Sequence, residues 1–241
     1  MKFTTGPRSA LDSARDDSNR VLLYEREGST SHPTAGWATA ELVRRRRLEP
    51  SPIAWDLVSI ALSVVVADGA QSRASSPDGW TREFELDIAL NEPERWRPHA
   101  AELSDALNFL TTDRWTLRFV PGGYAPIAPK KPWFPDAQAA LLLSGGLDSL
   151  VGAIDLTAQG KPLLAISQTV RGDAHKQVHF ADIIGGAAHH LQLNHNASTS
   201  RAEKETSQRS RSLIFLAFAV LGASSVLAHH YGETVSIYIC E

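Results

Sequence analysis

Residues 139–149, Ala-Ala-Leu-Leu-Leu-Ser-Gly-Gly-Leu-Asp-Ser, carry an apolar run of strand length straight into a diglycine turn, and Leu150–Leu156 beyond it is apolar with helical spacing. The alternation continues from there. Strands are expected at 139–143, 162–168, 191–194 and 234–240, and helices at 148–158, 174–190 and 206–230. Strands alternating with helices build a parallel sheet whose right-handed crossovers cover both faces. The expected fold class is therefore α/β, a doubly wound parallel sheet, in which ligands bind beyond the carboxyl ends of the strands. The turn at 144–149 lies at one such end.

The residue types of that turn suit an anion. Gly145 and Gly146 permit backbone angles that a Cβ forbids and let successive N–H groups converge, while Ser144 and Ser149 add hydroxyl donors. The helix that follows places its N-terminus, with its aligned peptide dipoles, at the same point. Asp148 beside bound phosphates would be repelled unless a divalent cation sat between them, and oxygen ligands of this kind suit Mg²⁺.

The string Ser144-Gly145-Gly146-Leu147-Asp148-Ser149 resembles the PP-loop of the ATP pyrophosphatases, whose Ser-Gly-Gly-x-Asp-Ser signature it matches in full. It differs from a Walker A loop, which carries a Gly-Lys-Ser/Thr that this turn lacks. The resemblance implies a fold like that of the adenine nucleotide alpha hydrolases, with ATP cleaved between its α and β phosphates. It also implies that residues 144–149 cradle the phosphates, that Asp148 binds Mg²⁺, and that Gln168, ending the second strand, contacts the adenine.

Ahead of this domain the patterning differs. Residues 1–20 are polar and charged, with Asp12, Arg15, Asp16 and Asp17 clustered, and are expected to form a flexible arm. Residues 21–120 are expected to form a smaller α+β domain, with strands at 21–24, 84–90 and 115–120, a buried helix at 53–67 and a second helix at 101–110. Arg44–Arg47 follows a short helical pattern and reads as a solvated helix end, with an anionic partner site as the alternative. Residues 121–136, rich in proline, form a stiff linker whose Trp133 and Phe134 are placed to dock on the domain at 137–241.

Composition narrows the function classes. With 241 residues and 43% hydrophobic content the chain folds, and its formal charge of −3 gives no global field for nucleic acid. Direct nucleic-acid binding is therefore not expected without a local basic patch. The single cysteine, Cys240, excludes an internal disulfide and a multi-cysteine metal site, which fits a reducing cytoplasm. No uninterrupted apolar stretch is expected to reach membrane-spanning length, and the first residues lack a signal-peptide core.

In the second half, Arg171, His175 and Lys176 follow the second strand and bring charge to the same sheet edge. His175 and His179 are four apart on a helix, but no third ligand is spaced to complete a metal site. Thr206–Ser212 carries Arg209 and Arg211 to the start of a strongly apolar helix, a second anion-binding end. This stretch is similar to the Arg-Asn segment of the 7-cyano-7-deazaguanine synthases, the QueC family, with Arg211-Ser212 or Arg209-Ser210 in its place. Asp78–Phe84 and Asp113–Leu117 resemble the N-terminal extension of QueC-like proteins of anti-phage defence clusters, the QatC type.

These resemblances imply an ATP-dependent, C–N ligase-like enzyme that adenylates a carboxylated 7-deazaguanine or similar acid before amine attack, with Asp148 and Arg209 or Arg211 as its catalytic residues. Protein partners of a defence operon follow from the QatC likeness. A PP-loop tRNA-modifying enzyme and an inactive nucleotide-binding scaffold are the alternatives. Residues 234–241 read as a central strand with no loop or covering helix after it, so the domain is expected to be C-terminally incomplete. A cysteine-bound zinc, which the family sometimes holds, would then belong to a missing segment.

Overall fold

Both halves of the chain are built around an all-parallel sheet, in a computed structural model that describes residues 1–13, 18–26, 32–169, 172–185, 189–198, 205 and 209–240. The first unit comprises 1–40, 55–126 and 195–214, and the second 41–54, 127–194 and 215–241. The expected boundary in the proline-rich linker is thus only part of the division: 41–54 and 195–214 each belong with the other half.

The first unit contains β1 (Lys2–Gly6), α1 (Arg8–Leu11), β2 (Asn19–Leu23), β3 (Thr34–Ala35), β4 (Glu83–Leu90), α4 (Pro93–Trp96), α5 (Ala100–Thr111) and β5 (Arg114–Pro121). It shares α2 (Trp37–Arg46) and α3 (Pro52–Ala70) with the second. Its five strands run in the order β3-β2-β1-β4-β5. The flexible arm expected over 1–20 is corrected at its start, because Lys2–Gly6 is the middle strand, paired with both β2 and β4. Only Phe3 in that segment is a large apolar residue; the buried Thr5 is accommodated by its hydroxyl contact with Ser63 Oγ at 2.6 Å. Residues 14–17 of the expected arm lie outside the described residues.

The expected α+β class for this unit is also corrected, to α/β. Glu83-Phe84-Glu85-Leu86-Asp87 and the facing Arg114–Arg118 alternate because one face of the sheet stays wet. That face carries α1, which is only four residues long, so the ladder is closed by side chains such as Arg118 and Asp87, 2.5 Å apart. The opposite face packs on α3, where Tyr24 donates to Ser59 Oγ at 2.8 Å and stacks on Tyr124. Burial pushes the Tyr24 hydroxyl far above the ordinary tyrosine value. Contrary to expectation, α3 is long and apolar enough to cross a membrane, with a mean hydropathy of 1.7, but 78% of that stretch is buried inside the protein. Its polar residues Asp56, Ser59, Ser63 and Asp68 are buried too, and each has a hydrogen-bond partner.

In the second unit, β6 (Ala139–Leu142), α6 (Leu147–Ala158), β7 (Leu163–Gln168), α7 (Ala174–Ile183), β8 (His190–Leu193), α9 (Leu227–His230) and β9 (Ser236–Tyr238) follow the expected alternation, with α8 (Arg211–Ala223) preceding α9. The strand order is β8-β7-β6-β9. Ala139, Leu141 and Leu163 pack against Ala153 and Leu156 of α6, while Leu143 and Ala165 pack against Ala181 of α7. On the other face, a Cβ added at Gly222 of α8 would stand 2.4 Å from Ile166 Cδ1, so the helix backbone lies directly on β7. Every residue of β7 is accordingly buried, as a strand covered on both faces must be.

Two expected helices are shorter than the sequence suggests. The first ends at Ile183, and His190 is a buried strand residue. The apolar helix begins at Arg211 and breaks after Ala223; residues 206–208 lie outside the described residues. After Pro121 the linker has no regular structure. Its Phe134 stacks on His230 with centroids 4.1 Å apart, and Trp133 N–H donates to Arg47 O at 2.8 Å.

Candidate functional site

Strand β6 is buried throughout and delivers the chain to the 144–149 turn at its carboxyl end. In the order β8-β7-β6-β9, the connections leave β6 toward β7 and later return to its other side at β9. The reversal opens a crevice beyond the carboxyl ends of β6 and β9, the usual ligand position in an open parallel sheet. The turn that follows β6 stands at that point.

Gly145 has φ +92°, a conformation that side chains resist, and its Cα faces Gln177 and Asp173. Gly146 precedes α6 and supplies no capping side chain, so the first N–H groups of that helix retain the donor capacity that helix ends leave unused. Ser144 accepts from Gly146 N–H at 3.2 Å and donates to Ser149 Oγ at 3.1 Å; Ser149 donates to Gly146 O at 2.9 Å. The hydroxyls thus shape the loop from inside, with Ser149 buried, while Ser144, Leu147 and Asp148 are exposed. Asp148 sits in the first turn of α6.

Two hydrogen-bond relays fix the root of the loop. Ser167 donates to Leu143 O at 2.7 Å, spending its one hydroxyl proton, so the 2.9 Å contact with His190 Nε2 requires the imidazole to donate. Burial lowers the His190 pKa, the charge of Arg46 lowers it further, and Asp182 opposes them in part, so the ring is neutral. In the second relay Gln192 donates to Gln177 Oε1 at 2.9 Å, and Gln177 Nε2 reaches Ser144 O at 3.2 Å and Gln168 O at 3.0 Å. Gln168 therefore stands beside the loop at the end of β7. Its side chain is buried, and among the described residues its Oε1 has no hydrogen-bond partner. A buried amide oxygen left unmatched is costly and invites a donor from outside the chain.

The sequence singled out Gln168 but missed Gln177, Gln192, Ser167 and His190. Their only signal is polarity at inward positions of apolar elements, which hydrophobic periodicity alone does not register.

The two arginines belong to the first unit. Arg209 lies over the Trp80 ring, 5.0 Å from its centroid, and donates to Thr112 Oγ1 at 3.1 Å. Ser210 between them is buried and bonds through both N–H and hydroxyl to Asp68 Oδ2, at 3.2 and 2.7 Å. Arg211, the first residue of α8, is exposed, and its charge adds to burial in lowering the pKa of His195. Arg171 lies outside the described residues. His175 and His179 share α7, but among the described residues no three His, Cys, Asp or Glu side chains converge as metal ligands. Comparison of the chain with protein-family models, with curated proteins and with solved structures finds no match.

Proposed function

We propose that the 144–149 turn is a PP-loop that binds ATP, and that the protein is a QueC-like enzyme of the cytoplasm that forms AMP and pyrophosphate. The observation carrying this reading is the combination at one strand end: Gly145 at φ +92°, an α6 N-terminus without a capping side chain, and the unmatched Gln168 Oε1 beside them. Phosphate oxygens suit the uncapped N–H groups, and the Ser144 hydroxyl once it turns from Ser149 toward the ligand, while the adenine amino group suits Gln168 Oε1. An exposed Asp148 fits Mg²⁺ held jointly by one carboxylate and substrate phosphates. The metal would supply charge neutralisation for the leaving pyrophosphate.

The chemistry follows from these donors. A carboxylate oxygen of the acid substrate attacks the α phosphorus as the α–β bond breaks, and pyrophosphate leaves. An amine then attacks the acyl carbon, loses a proton and expels AMP. With ammonia the product is the amide; activating the amide oxygen in the same way and losing AMP again gives the nitrile. Of the two candidate arginines, Arg209 is engaged by Trp80 and Thr112, whereas Arg211 is exposed. The acid is a carboxylated 7-deazaguanine or a similar acid, and the setting is an anti-phage defence system.

Incubating the full chain with ATP, Mg²⁺ and 7-carboxy-7-deazaguanine tests this directly. AMP and pyrophosphate are expected, with a loss of about 100-fold or more in Asp148→Asn, the size typical of removing one electrostatic stabiliser. Release of ADP, or no nucleotide product from a chain that fails to bind ATP, overturns the reading. Tight ATP binding without turnover turns it toward a nucleotide-binding scaffold.

A further inference from the structure

We propose that the second unit carries a docking site for single-stranded nucleic acid, formed where the Arg44–Arg47 run meets the Lys130–Trp133 segment. The two stretches are far apart in sequence and are joined by the Trp133 N–H to Arg47 O bond of 2.8 Å. Trp133 is half-buried, with the His189 ring 6.4 Å away. Six cations, Arg44 to Arg47 with Lys130 and Lys131, therefore share one neighbourhood in a chain whose overall formal charge is −3. The local patch required for nucleic-acid binding by a mildly acidic protein is thus assembled in the fold.

The accompanying acids leave most of that charge free. Glu41 takes Arg44 and Arg45, at 2.8 and 2.7 Å, and their guanidinium groups hold its carboxyl down at about 2. Arg46, Arg47, Lys130 and Lys131 are exposed and form no ion pair among the described residues. Helix-dipole compensation accounts for Arg44 to Arg46 at the end of α2, but not for the lysines, which arrive from the linker. Arg47 occupies the left-handed position after α2, with φ +56°, where glycine is the relaxed choice.

The nature of the ligand follows from the mixture of groups. Planar guanidinium groups match phosphate oxygens, and the half-buried Trp133, two residues after Lys131, supplies an aromatic ring of the kind on which unpaired bases stack. An acidic polypeptide would meet the same cations but has no flat base to place on Trp133.

The test uses the full chain and a fluorescently labelled 20-nucleotide oligouridylate, followed by anisotropy at a series of salt concentrations without ATP. Failure here is therefore separate from failure of the adenylation reading. Four neutralised phosphates predict a slope of log affinity on log salt of roughly −3. Charge reversal of Arg46, Arg47, Lys130 and Lys131 together is expected to abolish binding, and Trp133→Leu to weaken it about fivefold or more. Arg47→Gly separates binding from folding, since it is expected to raise Tm by relaxing the left-handed position while weakening binding about threefold. The proposal is overturned if the charge-reversed protein binds like the native one. It is equally overturned if polyglutamate of matching length binds as tightly as the oligonucleotide, or if duplex binds equally and Trp133→Leu changes nothing.

Discussion

At φ +92° Gly145 holds the loop open in a way that a Cβ would contest through its backbone angle, while Gln177 Cγ at 3.4 Å would meet that Cβ in ordinary contact. Gly145→Ala is therefore expected to cost about 1–2 kcal/mol of stability and to weaken ATP binding well beyond that loss, because the N–H groups would be re-aimed. Thermal unfolding paired with an ATP titration separates the two effects. His190 acts one step back, on Leu143 through Ser167. Its folded pKa is depressed, so the unfolded chain takes up the proton first as the pH drops. Stability is then expected to fall below about pH 6.5, the unperturbed histidine value. His190→Gln keeps a donor without the titration, and urea midpoints at pH 5 and 7.5 should differ less in that variant. Some slope remains through His195, which burial and Arg211 shift in the same direction.

The elements show how far patterning reaches. The four expected strands and the first helix of the second unit were legible because runs such as Ala139–Leu143 and Leu163–Ile166 are apolar and each is ended by a serine. The middle strand of the first unit was not legible, since Lys-Phe-Thr-Thr-Gly has one large apolar residue and its burial depends on partners elsewhere in the chain. Helix α6 contains a glycine whose reason only the packing reveals: a Cβ at Gly152 would stand 2.2 Å from Cys240 Sγ. Glycine to alanine inside a helix ordinarily gains about 1 kcal/mol. Here the expectation reverses, and Gly152→Ala should cost about 1–3 kcal/mol through overpacking. Cys240 Cβ would also stand only 2.8 Å away, so adding Cys240→Gly, which removes both atoms, should recover most of that loss. Chemical denaturation of the two single variants and the double variant checks the coupling; additive losses would disprove it.

Across the whole molecule both units wind alike, each with its third, second, first and fourth strands in that spatial order, and the first unit adds a fifth. Strand order is invisible to periodicity, which is why a wet-faced ladder reads as α+β and only the structure shows parallel pairing. The segments Asp78–Phe84 and Asp113–Leu117 have a physical role at this scale. Arg82 and Asp113 immediately precede β4 and β5, and with Arg73 and Asp68 they form a buried ion network across the amino-terminal edge of the sheet. Burial would raise the Asp113 carboxyl, but the guanidinium and backbone N–H of Arg82, with Arg73, outweigh it and hold the group below its usual range. Removing that carboxylate leaves the buried Arg73 guanidinium, among the described residues, without an acid partner and Arg82 with Asp68 alone, so Asp113→Asn is expected to cost about 3–5 kcal/mol near pH 7. A depressed carboxyl contributes fully above the unfolded value of about 3.9 and progressively less below it. The gap between wild type and Asp113→Asn should therefore narrow as the pH falls from about 4 toward 2. Amide exchange along β5 measures this within the first unit; a gap that stays constant over that range would mean that Asp113 stabilises by shape and hydrogen bonding rather than by its charge.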